Sequence, residues 1–234
     1  VILLVEDSRR FYSLFLPQLY QELMEQTGSL AGEGLSLHHK VLRRRARAKI
    51  LLATDMEQAQ YFYKQYSKHI IGLITDAGYP WKGEHNPSAG SELIKIVKQD
   101  NYDVPIIMQS SLPENRKIAE ELNADFLDKS DSGLLKGIRT FMREKMGFGD
   151  FVFRDSEGNE VGRAKDIGEM IDLLPYIDSI SLKYHGERHD FSRWFRARTE
   201  FDLAKSLRPK KVGDFGDIEE ARTFLLTMMR DFQR

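Results

Sequence analysis

The sequence predicts an α/β fold: a doubly wound, five-stranded parallel sheet, followed by a smaller, mainly helical domain that starts with a β-hairpin. Three observations carry this. Over residues 1–148, short apolar runs alternate with helical stretches, as repeated strand–helix crossovers require. The runs are continuously rich in Val, Ile and Leu, as in strands covered on both faces. After Gly147 the pattern changes to a hairpin and then to helical periodicity.

The expected strands are Val1–Val5, Lys49–Thr54, Ile70–Thr75, Pro105–Gln109 and Asp125–Leu127. The expected helices are Arg9–Gln26, Met56–Ser67, Ser91–Asp100, Glu114–Asn123 and Ser132–Met146. The interval from Val5 to Lys49 is longer than one helix needs. It holds the Gly-rich Thr27–Gly34 and a second helix over Leu35–Ala48, with Ser36 as its cap. The loop Trp81–Ala89 is also long and carries Lys82, Glu84 and His85. Two glycines at Gly147–Asp150 place a boundary there, giving domains 1–148 and 149–234. In the second, FVFRDSEGNEVGRA alternates on either side of SEGN and reads as a β-hairpin. Helices are expected over Asp166–Leu174, through HDFSRWFRARTEFDLAKSLRP, and over Asp217–Arg234. In the middle one most of Phe191, Trp194, Phe195, Phe201, Ala204 and Leu207 fall on one stripe, with Asp190 as cap and Pro209 as stop.

Composition bounds the function. The chain has 234 residues, 41 % hydrophobic and 30 % charged, so it can build a core; disordered, collagen-like and disulfide-scaffold classes are excluded. Lys+Arg total 35 against Asp+Glu 36, which gives no overall pull toward nucleic acid or an anionic membrane. The absence of cysteine excludes disulfides, thiolate catalysis and Cys-ligated metals, and fits a cytoplasmic location. No apolar run approaches the ~20 residues of a membrane span. VILLVEDSRR ends its apolar run in two acids without a cleavage site, so it reads as a strand and not as a signal peptide. With no initial Met, the chain is expected to be a piece of something longer.

The chemistry lies at the strand ends. The first run ends in Glu6 and Asp7, the third in Asp76, the fourth in Ser110, and the fifth runs into Lys129. In a parallel α/β sheet these converge on one edge, where ligands bind. Any one acid at a strand end is usually a turn or cap residue; all five together in this order are not. Three carboxylates in one place repel unless a cation neutralises them. An all-oxygen set with room for water suits Mg²⁺. A lysine and a hydroxyl add donors for a tetrahedral oxyanion, so the set reads as a site for a phosphoryl group on a carboxylate beside a metal ion.

Residues 1–146 resemble a CheY-like receiver domain of a two-component response regulator. The resemblance rests on VILLVEDS, on TDAGYP with its proline four after the aspartate, on Gly90 opening a helix, on VPIIMQSS and on NADFLDKS. It implies a flavodoxin-like sheet of order 2-1-3-4-5, with Asp76 as phosphoacceptor. Glu6, Asp7 and Asp76 would bind Mg²⁺ together with the backbone carbonyl of Gly78. Ser110 would supply the switch hydroxyl, Lys129 would pair with the phosphoryl oxygens, and Phe126 would be the switch aromatic. The implied donor is a histidine kinase or phosphotransfer protein. On phosphorylation Ser110 would move toward Asp76 and Phe126 would turn inward, changing the surface of the fourth helix, fifth strand and fifth helix. The sequence departs from the family at Ser130, where a proline is usual, in the insertion before the second strand, and in the loop after Asp76.

Other features carry less. His38, His39 and His85 are metal ligands or phosphodonors, or simply solvated. Arg43–Arg47 is a run that binds phosphate or nucleic acid, or more often a solvated helix face. Residues 151–234 hold no Gly-rich phosphate loop, no metal-ligand cluster and no paired acids at useful spacing. FSRWFRARTEFDLAKSLRPKKVGDF resembles a region preceding the catalytic domains of receiver-containing phosphoenolpyruvate synthase / pyruvate phosphate dikinase-like proteins. It implies a regulatory or linker module, with no enzyme activity in this piece itself and with downstream catalytic domains or a partner protein as its target. The alternative is a response regulator whose carboxyl half binds nucleic acid, for which no basic recognition helix is evident. Leu225, Met228, Met229 and Phe232 share one side of the last helix and read either as plain core or as a surface completed by a partner chain or by downstream domains, and the places for self-association as a homodimer are Leu35–Ala48 and these residues.

Overall fold

The structure, a computed structural model, describes residues 1–31 and 48–233. It has two compact units: one holds Val1–Glu25 and the residues from 48 to Phe141, and the other holds the last residues of the first helix, from Gln26, and the chain from Met142 onward. The helix expected over 35–48, its cap Ser36, the His38–His39 pair and the run Arg43–Arg47 lie outside the described residues, Ala48 excepted.

The first unit opens with β1 (Ile2–Val5), α1 (Arg9–Ala31), β2 (Ile50–Ala53) and α2 (Met56–Tyr66). It continues with β3 (Gly72–Asp76), a two-stranded ribbon of β4 (Tyr79–Trp81) and β5 (Glu84–Asn86), and α3 (Ala89–Asp100). It closes with β6 (Ile106–Ser110), α4 (Asn115–Glu121), β7 (Asp125–Asp128) and α5 (Leu134–Thr140). The five main strands pair in parallel in the order β2-β1-β3-β6-β7, the expected flavodoxin-like order. All four residues of β1 are fully buried, which is why its sequence shows no alternation. On one face, Leu3, Val5, Leu73, Ile106 and Met108 pack with Met56, Tyr63, Leu93, Ile94 and Val97 of α2 and α3.

Several local expectations are corrected. The Gly-rich start of the insertion does not end α1, which continues through Gly28. β3 begins at Gly72, and the Ile71 N–H bonds the Val1 carbonyl ahead of the ladder. The loop after Asp76 is largely the β4–β5 hairpin, turned by Lys82 and Gly83, both at positive φ (56° and 83°). Lysine there hides the usual hairpin signal of Asn-Gly or Asp-Gly. The fifth helix is shorter than expected and passes into a wide π-helical turn over Phe141–Lys145.

The second unit starts with the expected antiparallel hairpin, β8 (Phe151–Arg154) and β9 (Glu160–Ala164). Next come α6 (Ile167–Leu173), capped by Asp166, and α7 (Ser179–Glu187), a helix the sequence reading lacks. The long aromatic helix is in fact two, α8 (Asp190–Ala197) and α9 (Phe201–Leu207). Thr199 between them takes φ 65°, a left-handed conformation that ends a helix. Asp190 is not the cap: His189 holds that position, and the Asp190 carboxylate bonds His185 and Arg193 instead. The chain ends in α10 (Ile218–Gln233).

The aromatic stripe is core. Phe151 stacks on Phe191 at 4.7 Å, and Trp194 and Phe195 are buried beside them, whereas Phe201 is half exposed. Leu225 and Met229 of α10 belong to the same core, so they are not surface, while Phe232 is exposed. The Arg198 guanidinium lies 3.6 Å from the Trp194 ring and donates to the carbonyls of Gly147, Gly149 and Lys165.

Candidate functional site

The carboxyl ends of β1, β3, β6 and β7 meet at one edge of the sheet. Glu6 and Asp7 follow β1 directly, and Asp76 and Ser110 are the last residues of β3 and β6. Lys129 follows β7, its backbone N–H bonded to the Ser110 carbonyl at 3.0 Å. One carboxylate oxygen from each of Glu6, Asp7 and Asp76 lies within 4.8 Å of the others, a group that could hold a metal ion.

Each side chain is placed by identifiable bonds. Glu6 is fully buried; it accepts from the Ser8 N–H at 3.1 Å and from Gln109 Nε2 at 3.1 Å. Asp76 Oδ1 accepts from the Ala77 N–H at 2.7 Å. Lys129, with its side chain 5 % exposed, joins two of the acids: Nζ is 2.7 Å from Glu6 Oε2 and bonds Asp76 Oδ2. Its ammonium also sits 4.3 Å from the Phe11 ring centroid. Burial, with the Asp76 charge next in weight, pushes Glu6 from its usual 4.5 up to about 7, against the pull of Lys129.

With all three carboxylates ionised, one ammonium leaves two negative charges unbalanced, the charge of one divalent cation. The donors are all oxygens, and beside them opens a pocket of ≈ 460 Å³ with room for water. Mg²⁺ binds through one or two carboxylates and keeps several waters, so the residues fit such an ion.

The pocket brings together Asp76, Gly78, Ser110, Lys129 and also His85, which the β4–β5 hairpin carries there. A Cβ on Gly78 would stand 3.0 Å from His85 Cε1 and 3.0 Å from Pro87 Cα, so the returning strand lies directly on this glycine. Ser110 is engaged elsewhere: its Oγ accepts from the Leu112 N–H at 3.1 Å and from Asn115 Nδ2 at 2.8 Å. Phe126 is half-buried, with the Arg116 guanidinium 4.8 Å from its ring centroid.

Sequence reasoning missed Gln109, Asn115 and Phe11. Gln109 had a readable signal, an amide in the middle of a buried apolar strand, where a polar group needs a partner. Asn115 and Phe11 had none, because their roles depend on which strand end each helix start faces.

No protein-family model and no curated protein matches this chain. Solved structures similar to it include the chemotaxis protein CheY4 of Vibrio cholerae, with 20 % identity and TM-score 0.39, covering 61 % of this chain and 95 % of that one. The Mn²⁺-bound response regulator Rcp1 has 20 % identity and TM-score 0.40, covering 60 % and 90 %. The receiver domain of NtrX from Brucella abortus has 19 % identity and TM-score 0.39, covering 59 % and 94 %.

Proposed function

We propose that the first unit is a receiver of two-component signalling, in which Asp76 accepts a phosphoryl group from a histidine kinase or phosphotransfer protein. The observation that carries this reading is Lys129 joining Glu6 and Asp76 at the sheet edge, with Asp7 completing a three-carboxylate cluster.

An Asp76 carboxylate oxygen attacks phosphorus, the phosphorus–nitrogen bond of the donor phosphohistidine breaks, and its electron pair stays on the imidazole. Glu6, Asp7 and Asp76 would hold Mg²⁺, which when bound supplies positive charge to the phosphoryl oxygens. Lys129 then pairs with the new acyl phosphate, which carries about two negative charges as other protein phosphates do. Ser110, at the end of the neighbouring strand, turns from α4 toward the phosphoryl group, and Phe126 follows into the space it leaves.

On this reading the second unit is a linker or regulatory module acting on an attached or partner enzyme of the phosphoenolpyruvate synthase-like class. Its support is the motif resemblance, together with the use of its chemically capable residues in its own core. His185, for example, accepts from the Arg154 N–H at 2.9 Å through Nε2, and its Nδ1 lies 2.7 Å from Asp190.

Acetyl phosphate with Mg²⁺ tests the site. The wild type should form one acid-stable, base-labile acyl phosphate, and Asp76→Asn should form none. Undiminished phosphate incorporation in Asp76→Asn would remove the assignment.

A further inference from the structure

We propose that the first turn of α4 is a latch on the switch, in which Asn115 holds Ser110 and the adjacent Arg116 holds Phe126, both in the unphosphorylated arrangement. The proposal rests on the phosphoacceptor reading above and assigns to two residues outside the acid cluster the setting of the switch equilibrium.

The Ser110 hydroxyl has two lone pairs and one proton. Both lone pairs are committed, to the Leu112 N–H at 3.1 Å and to Asn115 Nδ2 at 2.8 Å. Swinging Oγ toward a phosphoryl oxygen on Asp76 means releasing Asn115. Asn115 is the first residue of α4, and Glu114 before it gives no side-chain cap. The Asn115 bond is therefore a polar tie from the start of this helix to the end of β6.

Arg116 follows immediately, its guanidinium 4.8 Å from the centre of the Phe126 ring. Phe126 and Asp128 alternate onto one face of β7, facing Met108 and Ser110 of β6 in the ladder. Arg116 acts on both: after the two bonds from Ser130, its charge helps hold the Asp128 carboxyl below the usual carboxylate range. Two consecutive residues of one helix thus contact the hydroxyl and the aromatic that must move. Among the described residues no hydrogen bond or ion pair joins either to Glu6, Asp7 or Asp76, so the energy gap of the switch is adjustable there without altering phosphoryl chemistry.

The test uses the whole 234-residue chain. Beryllofluoride, a phosphoryl mimic that bonds a carboxylate oxygen, is titrated with Mg²⁺ into the wild type, Asn115→Ala, Arg116→Ala and the double variant. Alanine favours helix, so α4 is retained. Each single variant should bind beryllofluoride roughly fivefold more tightly, the equivalent of one net hydrogen bond or one cation–π contact. The double variant should exceed either but fall short of their product, because the contacts release together. In the free variants the amide NMR signals of Ser110 and Phe126 should move toward their beryllofluoride-bound positions. Arg116→Lys, which keeps the charge but loses the planar face, should lie between wild type and Arg116→Ala. Wild-type affinity and unmoved free-state signals in both single variants, with only a lower melting temperature, would overturn the latch and leave the phosphoacceptor reading standing. A wild type that does not bind beryllofluoride at Asp76 overturns both.

Discussion

At the scale of the residue, Glu6 is the most constrained group. It is fully buried and shares its surroundings with Asp76, which together raise it to about 7. An acid with a raised folded-state pKa holds its proton more tightly folded than unfolded. Its contribution to stability is complete below about 4.5 and is lost as pH rises through about 7. A shift of this size is worth on the order of 3 kcal/mol. Metal-free protein should therefore melt at a lower temperature at pH 8 than at pH 5.5 on account of this group, and Glu6→Gln should flatten the difference. Mg²⁺ should restore more stability at pH 8 than at pH 5.5. Thermal melts in chelator and in Mg²⁺ measure this, and identical pH profiles for wild type and Glu6→Gln would contradict it. Lys129 is the second such residue. Breaking a buried pair costs about 3–5 kcal/mol, less here because Glu6 can take a proton. Lys129→Ala should still be labelled at Asp76 by acetyl phosphate but should lose the change in Trp81 fluorescence that accompanies labelling. Loss of labelling with the fluorescence response intact would reverse the roles given to the two residues. The five site residues were legible because each ends an apolar run. Gln109 was legible in principle, whereas Asn115 was not, since nothing near it in sequence marks a bond to Ser110.

At the scale of the element, the start of α3 lies against the end of β3 with no room for a side chain. A Cβ on Gly90 would overlap the Asp76 carbonyl oxygen and stand 2.9 Å from that of Ala77, and the Gly90 N–H bonds the Ala77 carbonyl at 2.9 Å. Backbone meets backbone, so no rotamer change relieves it. Gly90→Ala should destabilise the first unit by about 3 kcal/mol, at the upper end of overpacking costs, and should weaken Mg²⁺ binding because Asp76 is displaced. Gly137→Ala in α5 is the comparison: there the new methyl would press on the tip of the Leu127 side chain, which can turn aside. Its cost should be clearly the smaller in urea melts; equal costs would show that α3 can slide away. The β4–β5 hairpin shows the opposite limit of legibility. Its strands of three residues are too short to display a period, and its turn uses Lys82 at φ 56°. Only the structure shows that it carries His85 into the pocket at Asp76.

At the scale of the whole molecule, each unit has its own core. Trp194 is buried in that of the second unit, with Nε1 donating to the Gly149 carbonyl at 3.0 Å and its face under Arg198. Trp194→Ala should cost about 3–5 kcal/mol, as such truncations do, and should lower the unfolding transition of the second unit in calorimetry while Asp76 is still labelled by acetyl phosphate. Loss of labelling would show that the acid cluster depends on that core. Among the described residues no helix is long and apolar enough to cross a membrane. What the sequence by itself determined was the alternation of buried strands with helices, and hence the parallel sheet, and the acids, hydroxyl and lysine at its strand ends. Strands covered on both faces and ligand sites at strand ends leave local patterns that a linear reading can follow. What only the tertiary structure decided was how those groups are engaged: Lys129 on Glu6 and Asp76, Ser110 turned to Asn115, Arg116 on Phe126, and the aromatic helix broken at Thr199. These depend on distances between residues far apart in the chain and on a left-handed backbone at a threonine, and neither leaves a periodic trace in the sequence.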